Sequence, residues 1–381
     1  MRKPQAGRTL AIGAVLLSMT AALLPVSQAQ AVIMPHASSP ATSHRWTHAR
    51  AASHPSHWTT SRKHPATRTA HRHVLFGGTV SLLPEQRRVG RLGIVRKYFT
   101  LGQRFGGRAS DSIMRQGSTM LISLDAPARH GHVTSYASIA AGKYDGEIHT
   151  FLTQVEQAAV HYRIPAVYID FEHEANSPPH KAMGTPAQFV AAWRHIHNLA
   201  ARARLNWNTG GRLHWVLVLE HLAYFTASER PHWSLSMGFA ENYFPGPSYV
   251  DAVGADGYNS GSCGYAKPRG FLQPGTKMVT PGSMFGPVLT FAQKHGNMPV
   301  FVAEWASVRY RDSSVRPRFI HSMQDYVLAH PAIKGVSYWD SWGGGVRGHG
   351  GPHPEACNMS VNNDPRSLAA LATMNHVLEG K

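Results

Sequence analysis

From residue 74 onward, short runs rich in β-branched and aromatic residues recur along the chain. They are VLFGGTVSL (74–82), GIVRKYFTL (93–101), STMLISLDA (118–126), PAVYIDFEHEAN (165–176), LHWVLVLEHL (213–222), VDAVGADGYN (250–259), MPVFVAEWAS (298–307) and IKGVSYWDSW (333–342). Stretches with helical spacing stand between most of them. In GEIHTFLTQVEQAAVHY (146–162), Ile148, Phe151, Leu152, Val155, Ala158 and Ala159 fall at helical spacing. TPAQFVAAWRHIHNLAARA opens with Thr185 as N-cap and Pro186 at the first helical position. SMFGPVLTFAQKHG, RPRFIHSMQDYVLAHP and DPRSLAALATMNHVL read as further helices, with Pro287 expected in the first turn of its own. Eight strands alternating with helices predict an α/β fold, a single-domain (β/α)8 TIM barrel. An open doubly wound sheet is the runner-up, but no G-x-G-x-x-G sits at a strand–helix junction.

The barrel does not account for the first 74 residues. Residues 1–31 join a basic start, an apolar run and the small-x-small site Ala29-Gln30-Ala31, which reads as a cleaved secretory signal peptide. Residues 32–74 hold eight His and six Lys/Arg, no acidic residue and no apolar periodicity, and read as a disordered His/Arg/Ser/Pro-rich arm. Signal and arm carry +3 and +6 of the formal +17, leaving 17 − 9 = +8 for residues 75–381, the span of the expected barrel domain. That balance does not call for a nucleic acid, and no finger spacing or basic aromatic helix supplies one. The arm suits contact with an anionic surface, because His gains charge near pH 6. The chain is expected to be extracellular, with the arm offering a cell-surface contact. It is also expected to be monomeric and without stable membrane insertion once the signal is cut. Its only cysteines, Cys263 and Cys357, are expected to pair in an oxidising compartment, tying the loops after strands six and eight across strand seven.

In such a barrel the functional groups gather at the C-terminal ends of the strands. Polar and aromatic residues fall there repeatedly: Asp125, then Asp170, Glu172, His173, Glu174 and Asn176, then Glu220 and His221, Asp256, Tyr258 and Asn259, Glu304 and Trp305, and finally Trp339, Asp340 and Trp342. Carboxylates beside aromatic rings suit a sugar, whose faces stack on rings while its hydroxyls bond to acids and amides.

VYIDFEHEAN, FVAAWRHIHNL, VDAVGADGYN and PVFVAEWAS, in this order, resemble glycoside hydrolase family 26, and YDGEIHTFLTQV is similar to the segment that leads into its fourth strand. The family consists mostly of retaining endo-β-mannanases on a (β/α)8 barrel. The resemblance implies Glu174 of the His173-Glu174 pair as acid/base and Glu304 as nucleophile. It implies Asn176, Asp256 and His173 as substrate-binding groups, Tyr258 as a hydrogen-bond partner of the nucleophile, and Trp339 as the floor of a sugar subsite. Three departures stand out. Asp170 occupies the position of the family's usual Arg, four residues before the acid/base, Glu172 that of an aromatic or small residue two before it, and the Trp that follows the family motif is missing from HEANSPPH. Asp170 and Glu172 are read as barrel-interior partners of an Arg or Lys, and Asp170, Glu172 and Glu304 as the charges that raise the pKa of Glu174.

The expected function is therefore a secreted retaining endo-glycoside hydrolase acting on β-mannan or a related β-linked polysaccharide. The alternative is a non-catalytic carbohydrate-binding or surface-associated protein on a hydrolase fold. A metal-dependent deacetylase needs clustered His and Asp at strand ends, whereas the histidines concentrate in the arm and on helices. His195 and His197 read as solvated helix surface, and no metal and no cofactor is expected.

Overall fold

The computed structural model describes residues 73–126, 133–231, 234, 236–260, 263, 279–341 and 357–380; the expected signal peptide and nearly all of the arm lie outside them. Eight parallel strands close into a barrel in sequence order: β1 (Leu75–Thr79), β2 (Ile94–Thr100), β3 (Thr119–Asp125), β4 (Val167–Phe171), β5 (Leu213–Glu220), β6 (Ala252–Asn259), β7 (Val300–Ser307) and β8 (Ile333–Tyr338). The ring is completed by pairing of β1 with β8. This is the (β/α)8 barrel that the alternation predicts.

The surrounding helices form where periodicity and caps agree. The helix Pro186–Arg202 opens with a reciprocal capping box between Thr185 and Gln188 and buries Phe189, Trp193 and Ile196. There Phe171, Phe189, Trp193 and Trp215 make a continuous aromatic layer against β4 and β5. The spacing is regular except after β1 and β5. Six residues of 3-10 helix and a four-residue α-helix follow β1. Among the described residues, the segment between β5 and β6 holds only a 3-10 turn (His221–Tyr224) and the four-residue helix Ala240–Tyr243.

Two local expectations are corrected. Pro287 is not in a first turn: Thr280 caps a helix that begins at Pro281, so Pro287 lies in the second turn. The earlier start follows from the stronger signal, a Thr cap followed by Pro at the first position. His197 is not solvated surface. It is buried against Trp215 and Tyr249 and lies 3.3 Å from the Asn206 amide nitrogen. His195 bonds Asp145 at 2.6 Å.

Alternation along the strands divides the barrel interior into an apolar and a polar half. Ile94, Leu121, Val216, Val218, Ala252, Phe301 and Ala303 pack inside it, with Leu75 and Tyr168 against them. Two residues further on, on the same faces, stand Arg96, Ser123 and Asp170. On β7 the period breaks. Ala255 pairs with Val302 and Asp256 with Glu304, so Ala303 is an extra residue in β7. Such a bulge re-aims the side chain that follows it, and here it turns Glu304 toward Asp256.

Candidate active site

Arg96 organises the C-terminal mouth of the barrel. Its guanidinium is fully buried, with Nη2 at 3.4 Å from Asp170 Oδ2 and Nε at 3.4 Å from Glu304 Oε1. Nε also donates to the Tyr98 hydroxyl at 3.1 Å, and Nη2 donates to His173 Nδ1 at 2.7 Å. Arg96 is the cationic partner expected for Asp170. It comes from β2, and the buried cation faces the Asp on β4. Asp170 is further held by the Ser123 hydroxyl (2.7 Å) and the Val218 amide (3.3 Å). Burial pushes its carboxyl up to about 6 while Arg96 and these donors pull it back.

The contact with Arg96 decides the tautomer of His173. A guanidinium only donates, so Nδ1 must accept, and the ring proton sits on Nε2. Nε2 lies 3.6 Å from Glu304 Oε1. Burial, and then the charge of Arg96, hold His173 well below the usual imidazole range. It is a neutral ring that presents its N–H toward Glu304.

Glu304 is only 2% exposed. The Tyr258 hydroxyl donates to its Oε2, while Arg96 and His173 approach Oε1. Burial lifts this carboxyl to about 7 against the pull of Arg96. Asp256, beside it across the β6–β7 register, is fully buried, and neither of its oxygens has a hydrogen-bond partner among the described residues. Burial raises it well above the carboxylate range, although Arg96 opposes this.

Glu174 lies in the turn after β4, where both Glu172 (φ 59°) and Glu174 (φ 50°) adopt the left-handed conformation. Non-glycine residues rarely take this conformation, and such strain clusters at functional positions. Among the described residues no hydrogen bond or ion pair reaches the Glu174 carboxyl. Burial, and then the like charge of Glu220, push it up to about 7. The like charge that matters is thus Glu220 rather than the expected Asp170, Glu172 and Glu304. Glu172 is committed elsewhere, accepting from the Ala126 amide at 3.0 Å and pairing with His180 at 3.1 Å. Asn176 Oδ1 accepts from the Glu220 amide at 3.0 Å and so ties the β4 turn to β5, while its Nδ2 is buried without a partner among the described residues.

The rim is aromatic and acidic. Trp339, partly buried after β8, meets Tyr98 edge-on at 6.0 Å. Asp125 accepts from the His173 amide at 3.1 Å, and burial followed by the charge of Glu172 raises it to about 7. His221 Nδ1 lies 2.7 Å from Glu220 and 3.1 Å from the Asp256 carbonyl. Burial works against its charge, but Glu220 holds it above the usual range. His173 and His221 are therefore strand-end histidines among carboxylates, contrary to the expectation that the histidines lie elsewhere. Donor atoms of His173, Asp256 and Glu304 come within 4.8 Å of one another, close enough to surround a metal ion. Arg96 already stands against His173 and Glu304, however, so a metal would share a dry pocket with a buried guanidinium.

Cys263 and Cys357 are joined, with Cα atoms 5.1 Å apart, within the ordinary disulfide range. The bridge links the chain after β6 to the chain beyond β8, as expected. Reading the sequence alone misses Arg96, Tyr98 and His180. Arg96 and Tyr98 share one face of β2 at period two, but VRKYF does not say whether that face or the face of Lys97 turns inward.

No family model matches the chain, and no curated protein does. Among solved structures, the chain is similar to a family-26 β-mannanase from Bacteroides ovatus at 11% identity, covering 81% of this chain and 91% of that one with a TM-score of 0.50. It is also similar to the family-26 domain of an endo-β-mannanase/endo-β-glucanase from Prevotella bryantii (10% identity, 78% and 90% coverage, TM-score 0.48). A subgroup I family-128 endo-β-1,3-glucanase from Amycolatopsis mediterranei is a third (10%, 80% and 99%, TM-score 0.41). At these identities the comparison speaks to architecture alone: the chain has the (β/α)8 fold found in the B. ovatus enzyme.

Proposed function

We propose that the protein is a secreted, retaining endo-glycoside hydrolase acting on β-mannan or a related β-linked polysaccharide. One observation carries this reading. Glu304 is buried, takes a Tyr258 hydrogen bond on one oxygen and faces Arg96 and His173 on the other, while Glu174 at the same mouth keeps its carboxyl free of partners among the described residues. Glu304, ionised, attacks the anomeric carbon. The bond to the glycosidic oxygen breaks, and that oxygen takes the proton of Glu174. Glu174 then removes a proton from water, whose oxygen bonds to the anomeric carbon as Glu304 leaves. Tyr258 and Arg96 hold the nucleophile in place, and Arg96 favours its ionised form. Trp339 and Tyr98 offer ring faces and edges to the sugar. The apolar start of the chain acts as the export signal, and N-terminal sequencing of exported protein should begin after Ala31.

The test is release of reducing ends from mannan, mixed-linked glucan, xylan and an acidic exopolysaccharide, with Glu304→Ala as control. Proton NMR of the first product should show the β-anomer. No release from any polymer, or a first product of inverted configuration, overturns the reading. One feature favours binding without turnover at low pH: a Glu304 carboxyl at about 7 is mostly neutral below that value and cannot attack.

A further inference from the structure

The N-terminal face of the barrel, opposite the candidate active site, carries a tryptophan that is not packed away. Trp193, Trp215 and Trp305 are fully buried, whereas Trp207, in the short turn that leads toward β5, is 51% exposed. Exposed as it is, the ring is fixed on two sides. Its indole N–H donates to Asp251 Oδ1 at 2.6 Å, and the other oxygen of Asp251 accepts from the Trp215 amide at 2.7 Å. One ring face lies against His214, with 4° between the planes and 5.5 Å between the centroids. Burial holds His214 below the usual imidazole range against the pull of Asp251, so a neutral ring backs the indole. With one face and the N–H edge taken, the opposite face is the part of the ring left to solvent. A ring held in advance loses little freedom when a ligand stacks on it.

A second observation is independent of this ring. A cavity of about 280 Å³ opens on the same end of the barrel, lined among others by Leu75, Arg91, Ile164, Pro165, Tyr168 and Glu379. At this volume it takes one small ring rather than a chain. Arg91 and Glu379 stand 4.0 Å apart, so the lining offers a donor and an acceptor together and suits neither a polyanion nor a polycation. Tyr168 joins the two features. It lines the cavity, its ring lies 5.6 Å from that of His214, and its hydroxyl makes no hydrogen bond among the described residues. Ring faces beside a few mixed polar groups fit a sugar, whose apolar face stacks while its hydroxyls both donate and accept.

We propose that the N-terminal face of the barrel is a second polysaccharide-binding site, with one sugar on the outer face of Trp207 and another at the cavity beside Tyr168. It rests on the hydrolase reading above for its ligand, a β-linked polysaccharide, and not for its geometry. Lying away from the mouth, it keeps the protein on long polymer without taking part in bond cleavage, and the two sites together raise avidity for the polymer.

The test runs the full mature chain through native gels cast with mannan, mixed-linked glucan or xylan and reads retardation. At least one polymer is expected to retard the wild type, and Trp207→Ala should weaken that binding about fivefold or more. Trp207→Phe should restore most of it, and turnover of a soluble tetrasaccharide should be the same in all three proteins. Arg91→Ala gives a second reading should Trp207→Ala not fold, and is expected to weaken retardation about twofold or more. Equal retardation of wild type and Trp207→Ala, or none by any polymer, overturns the inference even where polymer is cleaved. A wild-type dimer that Trp207→Ala turns into a monomer in sedimentation, with retardation unchanged, also overturns it and gives the ring to a second copy of the chain. Retardation that depends on Trp207 without cleavage of any polymer keeps the site and removes the hydrolase reading instead.

Discussion

At the N-terminal end of the barrel interior, Ile94, Leu121, Val216 and Phe301 meet one another with carbon alone. Two residues beyond Ile94, Leu121 and Tyr168, along β2, β3 and β4, stand Arg96, Ser123 and Asp170, and at the level of Asp256 and Glu304 buried oxygens are left without donors among the described residues. The first of these layers holds no buried charge. The second holds carboxyls that burial has lifted to about 6 or 7. The apolar end stabilises the barrel and the polar end costs stability for its chemistry, so mutations in the two halves should separate cleanly into folding effects and activity effects.

The largest effect belongs to the polar half. Glu304→Gln should lower kcat by about 10⁴-fold or more, measured as reducing ends per folded molecule, with an unchanged circular dichroism spectrum. A comparable loss from an apolar-half mutation in folded protein would break the distinction. Phe301→Ala should do the reverse: it should destabilise the fold by about 3–5 kcal/mol in urea unfolding, leaving kcat of the folded fraction within a few-fold. Arg96→Met crosses the two. It removes the one guanidinium among Asp170, Glu304 and Asp256, should destabilise by about 3 kcal/mol at pH 8, and should move the acidic limb of the pH–rate profile upward, because Arg96 holds the Glu304 carboxyl down.

The same carboxyls set an unusual dependence of stability on pH. Asp125, Asp170, Glu174 and Glu304 have folded values of about 7, 6, 7 and 7, above ordinary carboxylates. Between about pH 4 and 7 the folded chain therefore binds more protons than the unfolded chain, and stability falls as pH rises. The charged pairs of His180 and His221 add in the same direction, since both are raised. The melting temperature should thus be higher at pH 5 than at pH 8. Over part of that range kcat rises as Glu304 ionises, then declines above about pH 7 as Glu174 loses its proton. A melting temperature that climbs from pH 5 to 8 would show that the acids of the mouth are ionised and paired. The smallest effect lies outside both halves: Lys294→Ala breaks an exposed pair with Glu241 and should change stability by less than about 1 kcal/mol.

Much of this is readable in the sequence, for physical reasons. Strand period and caps locate the barrel, because apolar runs such as LHWVLVLE have few alternatives to a buried strand. Glu304 and Tyr258 are legible because each ends a strand, and the structure brings them into contact. Arg96 is not, since its acidic partners lie 74 or more residues away and VRKYF reads equally well with the Arg or the Lys turned inward. The β7 bulge is also invisible, because a one-residue insertion leaves no mark in composition yet decides that Glu304 faces Asp256. His197 misleads because a His on an amphipathic helix looks solvated until Asn206, Trp215 and Tyr249 are seen around it.

The bridge between Cys263 and Cys357 closes a ring of chain with a sequence separation of 94, and that ring contains β7, Glu304 and β8. A peptide bond cut anywhere inside the ring leaves both pieces covalently attached. Nicking in this quarter of the barrel would therefore not release the strand that carries Glu304, the proposed nucleophile. Such a nick would show as a band shift only after reduction.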